Sequence, residues 1–270
     1  MIRHRWRRFL PYAGPRKVRA PRSVEALNEQ IEQLKRSLPE MNRANKKLAL
    51  QKLLVLQTPR AALAQNQMDR HKHGYHNREK RLYELIDFND TFVAVVLALD
   101  RSELARFTPD IKQRMSDFCR QQDTLMFSDE QFEAIVHGLS VEISVYRAAH
   151  DDGLDVEMTS RTQDAFGIDM VVGDPSVRRQ INIDCKTPSA FRYRLEELRK
   201  KGRITDSEVL QADEQDFITT MNRHDDEKVP VTTLCIRPER VGDIADFSLG
   251  DTKPLGSLLR SVIAVDGYPY

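Results

Sequence analysis

Apolar residues in the first half of the chain recur at helical spacing. Val24, Leu27, Ile31, Leu34 and Leu38 alternate steps of three and four, with Glu25, Glu29, Glu32, Lys35 and Arg36 between them, which predicts a helix with a narrow apolar seam. Pro39 is expected to end it. A second helix is expected over residues 43–57, carrying Leu48, Leu50, Leu53, Leu54 and Leu56 and stopping at Thr58-Pro59. The seam suits an antiparallel hairpin within the chain, or a short coiled coil that would make a homodimer. Residues 61–86 continue in helix-favouring residues with a polar middle, and residues 92–107 resume the apolar period. The span 23–125 therefore reads as an all-helical region.

Near Ser128 the pattern changes. Ser128 is a good N-cap, and Asp129 and Glu130 favour the first turn of a helix that holds Phe132, Ile135, Val136, Leu139, Ile143, Val145 and Tyr146. Asp151-Asp152-Gly153 marks its end. Strand-like segments follow at residues 154–160, 167–173 and 179–186, with a turn at Asp174-Pro175 between the last two. Helices are expected over residues 192–200 and 206–221, then a strand over residues 231–236 and a helix around residues 255–265. The order α, β, β, β, α, β places one α/β domain at residues 126–270.

Charge adds a third region. Lys plus Arg (42) and Asp plus Glu (41) nearly cancel, so attraction to nucleic acid depends on where the charges lie. Residues 1–22 contain no acid. They carry Arg3, Arg5, Arg7 and Arg8, with Trp6, Phe9 and Tyr12 interleaved, a mixture suited to phosphate contact and base stacking or to a basic tail that grips nothing specific. Arg199, Lys200 and Lys201 form a second basic cluster. His71, His73 and His76 lie beside Arg70, Lys72 and Arg78, whose charges oppose a metal there, and His137 reads as a packing or capping residue.

Cys119, Cys185 and Cys235 are widely spaced, which disfavours a disulfide framework or a zinc site. The apolar run at residues 92–99 is far short of the roughly 20 residues that span a bilayer. Arg7-Arg8 is followed by Pro11, Gly14 and Pro15 instead of an apolar stretch, against an export signal. The expectation is a cytoplasmic protein with no membrane association.

The chemistry concentrates between Glu142 and Lys186. If residues 167–173 and 179–186 form a hairpin with Asp174 facing Arg179, the register sets Asp169 opposite Asp184. Like charges so placed are destabilising unless compensated, and a divalent cation compensates them. Asp184 and Lys186 share one strand face, while Cys185 points the other way. Two carboxylates and an ammonium suit phosphodiester hydrolysis, with Lys186 orienting water or stabilising developing charge. Glu142, on an apolar helix between Leu139 and Ile143, wants a polar partner, which this cluster supplies.

Glu142 on the helix, Gly167-Ile168-Asp169 on one strand and Asp184-Cys185-Lys186 on the next resemble the PD-(D/E)XK, or restriction-endonuclease-like, nuclease superfamily. The resemblance covers residues 128–236, with Ile168 where the family name has Pro. It implies a restriction-endonuclease-like αβββαβ core with a mixed sheet, preceded here by the helical region. It also implies Asp169, Asp184, Glu142 and the Cys185 main-chain carbonyl as ligands of Mg²⁺ or Mn²⁺, with Lys186 as the catalytic lysine. The expected activity is metal-dependent hydrolysis of DNA by water, endonucleolytic in preference to exonucleolytic. Other readings stand beside it: a surface ion-pair ladder, a nuclease fold that binds without cutting, or a non-enzymatic nucleic-acid or assembly protein.

Overall fold

A computed structural model describes residues 24–70, 78–159, 163, 167–224 and 227–270. The first half is helical, as the apolar spacing predicts: α1 (Val24–Ser37), α2 (Arg43–Arg70), α3 (Arg78–Ala98) and α4 (Arg101–Gln122). The α1 seam closes within the chain, where Leu27 and Ile31 pack on Leu53 and Leu56 of α2.

Helix α2 departs from the expectation. It runs through Thr58-Pro59 and continues to Arg70. A proline removes one amide donor and crowds the preceding turn, a loss of about 3 kcal/mol in a helix interior. Thr58 Oγ1 donates to Leu54 O at 3.0 Å, and Pro59 is buried along with Ala61, Ala62 and Ala64. These alanines share a core with Phe88 and Phe92 of α3, so tertiary packing overrides the local stop signal. The apolar run at residues 92–107 is split between α3 and α4, with Asp100 N donating to Glu103 Oε2 at 2.9 Å at the start of α4.

Ser128 caps α5 (Asp129–Asp151) as anticipated: its Oγ accepts from Gln131 N at 3.2 Å, and its own N donates to Gln131 Oε1 at 2.9 Å. Helix α5 belongs to both halves. Phe132, Leu139 and Ile143 lie in the core of α2, α3 and α4, while Val141, Val145, Ala148 and Ala149 lie in the core against the sheet. Arg147 adds a polar tie, donating from Nη2 to Val96 O at 3.1 Å and from Nη1 to Ser248 Oγ at 3.0 Å.

The second half comprises β1 (Asp155–Met158), β2 (Met170–Asp174), β3 (Arg179–Lys186), α6 (Pro188–Lys200), α7 (Asp206–Gln215), β4 (Phe217–His224) and β5 (Glu227–Cys235). It continues with α8 (Pro238–Val241), the short strands β6 (Ile244–Ala245) and β7 (Ser248–Leu249), α9 (Lys253–Asp266) and β8 (Tyr268–Pro269). The main sheet has the order β1-β2-β3-β5-β4, with β8 beside the start of β3. Strands β1, β2 and β3 are antiparallel, β3 and β5 parallel, β5 and β4 antiparallel, so the sheet is mixed. One face is covered by α5 and α9, and α6 and α7 share a smaller core with Cys235 of β5.

Two elements differ from the sequence reading. Residues 206–221 do not form one helix: α7 ends at Gln215, and Asp216 turns the chain with a left-handed φ of 64°. Asp216 is 1% exposed and pairs with Arg237 and, at 3.0 Å, with Arg240. The chain then pairs with β5 as a strand, where Thr219 and Thr232 share a hydroxyl contact of 2.9 Å, as suits β-branched residues on a pleated surface. The second addition is β8, whose Tyr268 and Pro269 pair with Gln180 and Arg179. Among the described residues, no helix is long and apolar enough to cross a membrane.

Phe92 is fully buried, with ring contacts of 5.3 Å to Phe107 and 5.9 Å to Phe247, which joins the helical layer to the C-terminal half. Phe92→Ala is expected to cost about 3–5 kcal/mol. Urea unfolding followed by near- and far-UV circular dichroism should give one coincident transition for the unsubstituted chain; two separated transitions would refute a core shared between the halves.

Candidate active site

The hairpin register matches the expectation from Asp174 inward, with Asp174 paired to Arg179 and Met170 to Ile183. Alternation along β3 sends Ile181, Ile183 and Cys185 into the core under α5 and α9, leaving Asn182, Asp184 and Lys186 on the opposite face. The regular ladder stops one residue short of Asp169. Asp169 N donates to Ile183 O at 2.8 Å, and Cys185 N donates to Asp169 Oδ2 at 2.6 Å, so Asp169 grips the neighbouring strand on either side of Asp184. Gly167, two residues earlier, has a left-handed φ of 77°, which a glycine adopts without strain.

Asp184 is 5% exposed. Its Oδ1 accepts from Lys186 Nζ, and its Oδ2 accepts from Thr233 Oγ1 at 3.3 Å, Thr233 being its register partner on parallel β5. Lys186 Nζ also reaches Cys185 O at 3.2 Å. The Lys186 ammonium holds its proton more tightly than an ordinary lysine. Burial works against the charge, but Asp169, Asp184 and Glu142 together outweigh it. Burial also pushes the Cys185 thiol well above its ordinary 9.0, with Asp169 and Glu142 adding to the rise. Glu142, half-buried on α5, thus acts electrostatically on the same few atoms as the two aspartates.

Asp184 pairs with the Lys186 ammonium at the carboxyl ends of the parallel strands β3 and β5, and Asp169 and Glu142 lie close enough to act on the same charge. Carboxylate oxygens are hard donors and fit a hard divalent cation in kind. In arrangement, Lys186 sits on Asp184, and among the described residues no group of three His, Cys, Asp or Glu is disposed to hold a metal. A cation would have to take the place of the ammonium at Asp184 Oδ1.

Beside this face lies a cavity of about 630 Å³ lined by Gly167, Asp184, Lys186, Ser189, Tyr193 and Arg194, among others. A larger cavity of about 920 Å³ touches Val141 and Thr187, next in sequence to Glu142 and Lys186, and carries His137, Glu133, Glu239 and Asp243. The sequence reading passed over Thr233, Ser189, Tyr193 and Arg194. For Ser189, Tyr193 and Arg194 the signal was Thr187-Pro188, a cap followed by proline at the first helical position, which starts α6 immediately after Lys186; Thr233, on β5, has no local signal.

The remaining expected residues fall elsewhere. Arg199, Lys200 and Lys201 close α6 or follow it, and each is paired: Arg199 with Glu196 (2.8 Å) and Asp206 (3.3 Å), Lys200 with Glu196 (3.4 Å), Lys201 with Glu197 (2.6 Å). That pairing reduces the field they project. Arg3, Arg5, Arg7, Arg8, His71, His73 and His76 lie outside the described residues. No protein family, curated protein or solved structure matches the chain.

Removing the Lys186 ammonium leaves Asp184 buried without its cation, and Lys186→Met is expected to cost about 3–5 kcal/mol at neutral pH. A lysine whose folded-state proton affinity exceeds its unfolded value of 10.5 contributes stability fully below that pH and loses it as pH rises toward the folded value. The gap in unfolding free energy between the native chain and Lys186→Met, read from urea titrations, should therefore hold steady up to pH 10.5 and narrow above it by about 1.4 kcal/mol per pH unit. A gap that widens above pH 10.5 would contradict the ion pair.

Proposed function

We propose that the protein is a metal-dependent nuclease that hydrolyses DNA phosphodiester bonds with water. One observation carries the reading: Asp184 and Lys186 pair beside an open cavity, and Asp169 binds the amide between them. The order α5, β1, β2, β3, α6, then β5 parallel to β3, supports a restriction-endonuclease-like core, the architecture in which the resemblance sets these residues. Three buried free cysteines fit a reducing, cytoplasmic setting.

Asp169, Asp184 and Glu142, with the Cys185 carbonyl, would hold Mg²⁺ or Mn²⁺. An ion held there would polarise a phosphate and lower the pKa of a bound water. Lys186, kept protonated by its carboxylates, offers a fixed positive charge to the phosphate oxygens as negative charge builds in the transition state. Thr233 orients Asp184 by donating to Oδ2, and the Cys185 amide holds Asp169 in place. The apolar packing of α5 keeps Glu142 on the core side of the cluster.

Incubation of the full chain with supercoiled and linear DNA in Mg²⁺, Mn²⁺ or EDTA tests this. Cleavage should require the metal, and Asp184→Asn and Lys186→Ala should each lower the rate by at least about 100-fold while the folded variants still bind DNA. A chain that shifts DNA but cuts none with either metal would identify the cluster as a structural ion-pair network in a binding protein.

A further inference from the structure

The cavity beside Asp184 and Lys186 has an aromatic side chain at its edge that packing does not account for. Tyr193 is 75% exposed, and among the described residues it has no hydrogen bond, ion pair or ring contact. The other large exposed aromatic among them, Tyr270, ends the chain and bonds Asp155 through its hydroxyl at 3.3 Å. A bare aromatic face in water is stabilised by neither burial nor a polar contact, so it gains most from a ligand that covers it.

The mounting of Tyr193 is rigid. It lies on α6, whose opposite side is locked by Phe191, Leu195 and Leu198, all at most 2% exposed, and whose first turn is capped by Thr187 directly after Lys186. Arg194, at the next position, is steadied by Glu197 at 3.1 Å. Charge then selects the path of a strand leaving the phosphate site. The larger cavity on the α5 side sets Glu133, Glu239 and Asp243 against Lys112, a lining of net negative charge that repels a phosphate backbone, whereas Glu197 beside Tyr193 is paired with Arg194 and Lys201. On the α6 side Arg192 is exposed and, among the described residues, forms no ion pair. The favourable route crosses α6, past Tyr193.

Resting on the nuclease reading above, we propose that Tyr193 is a stacking platform for an unpaired base of the substrate, and that the preferred substrate is therefore single-stranded or frayed DNA. A base inside a duplex has both faces occupied by its neighbours, so only an unstacked base can lie on the ring. Stacking uses the ring face and not the hydroxyl, and it tolerates any base.

The test uses the full-length chain and a fluorescein-labelled oligothymidylate of about 20 nucleotides, longer than the ~4–16 such surfaces cover, beside a labelled hairpin duplex. Binding is read by anisotropy in EDTA, and cleavage separately in Mg²⁺. Tyr193→Ala should weaken oligothymidylate binding on the order of ten-fold, leave duplex binding unchanged, and raise KM on the single strand without lowering kcat. Tyr193→Phe should match the unsubstituted protein in all three. Unchanged oligothymidylate binding in Tyr193→Ala, equal losses on single strand and duplex, or a Tyr193→Phe variant as weak as Tyr193→Ala would each overturn the platform. The two readings fail separately. Tyr193-dependent binding by a chain that never cuts would sink the nuclease and keep the platform, whereas metal-dependent cutting indifferent to Tyr193→Ala would do the reverse.

Discussion

A carboxylate held out of water is the constraint around which the second half of this protein is built. Asp184 is almost fully buried, and a bare charge there would be intolerable. It is tolerated because Lys186, two residues along the same strand, shares its face, and because the parallel strand brings Thr233 to its other oxygen. Those positions are a matter of register. A slip of one residue would send Asp184 into the apolar core and Ile183 to the polar face.

Glu142 and Asp169 extend the same logic. Each acts on the Lys186 ammonium, and Asp169 also accepts from the Cys185 amide between the paired residues. An arrangement meant only for stability would be better served by balanced or apolar partners, since buried ion pairs are seldom worth their desolvation. The proposed cation and phosphate site rests on this cluster and the open cavity beside Asp184 and Lys186. The helical half matters here because α5 carries Glu142 and is clamped between both cores, so the packing of Phe92, Phe132 and Phe247 sets where that carboxylate stands.

Much of this was legible in advance. Periods of three and four placed α1, the start of α2 and α5, with the Ser128 cap located to the residue, and the alternation around Asp174-Pro175 set the β2–β3 register. The misses share a cause. Helix α2 passes through Pro59, and residues after Asp216 leave the helix for a strand, because in each case contacts from distant parts of the chain outweigh local preference. Tyr268 and Pro269 carry no periodic signal over two residues, and only the exposed edge at the start of β3 makes them a strand.

By itself the sequence determined the spacing of the acidic and basic groups: alternation along a strand is a local property, and it puts Asp184 and Lys186 on one face whatever the rest of the chain does. Tertiary structure alone decided what meets them. The parallel pairing of β3 with β5 brought Thr233, and the packing of α5 brought Glu142. Those neighbours lie far apart in sequence or across a loop, and no local period encodes a distance that only folding closes.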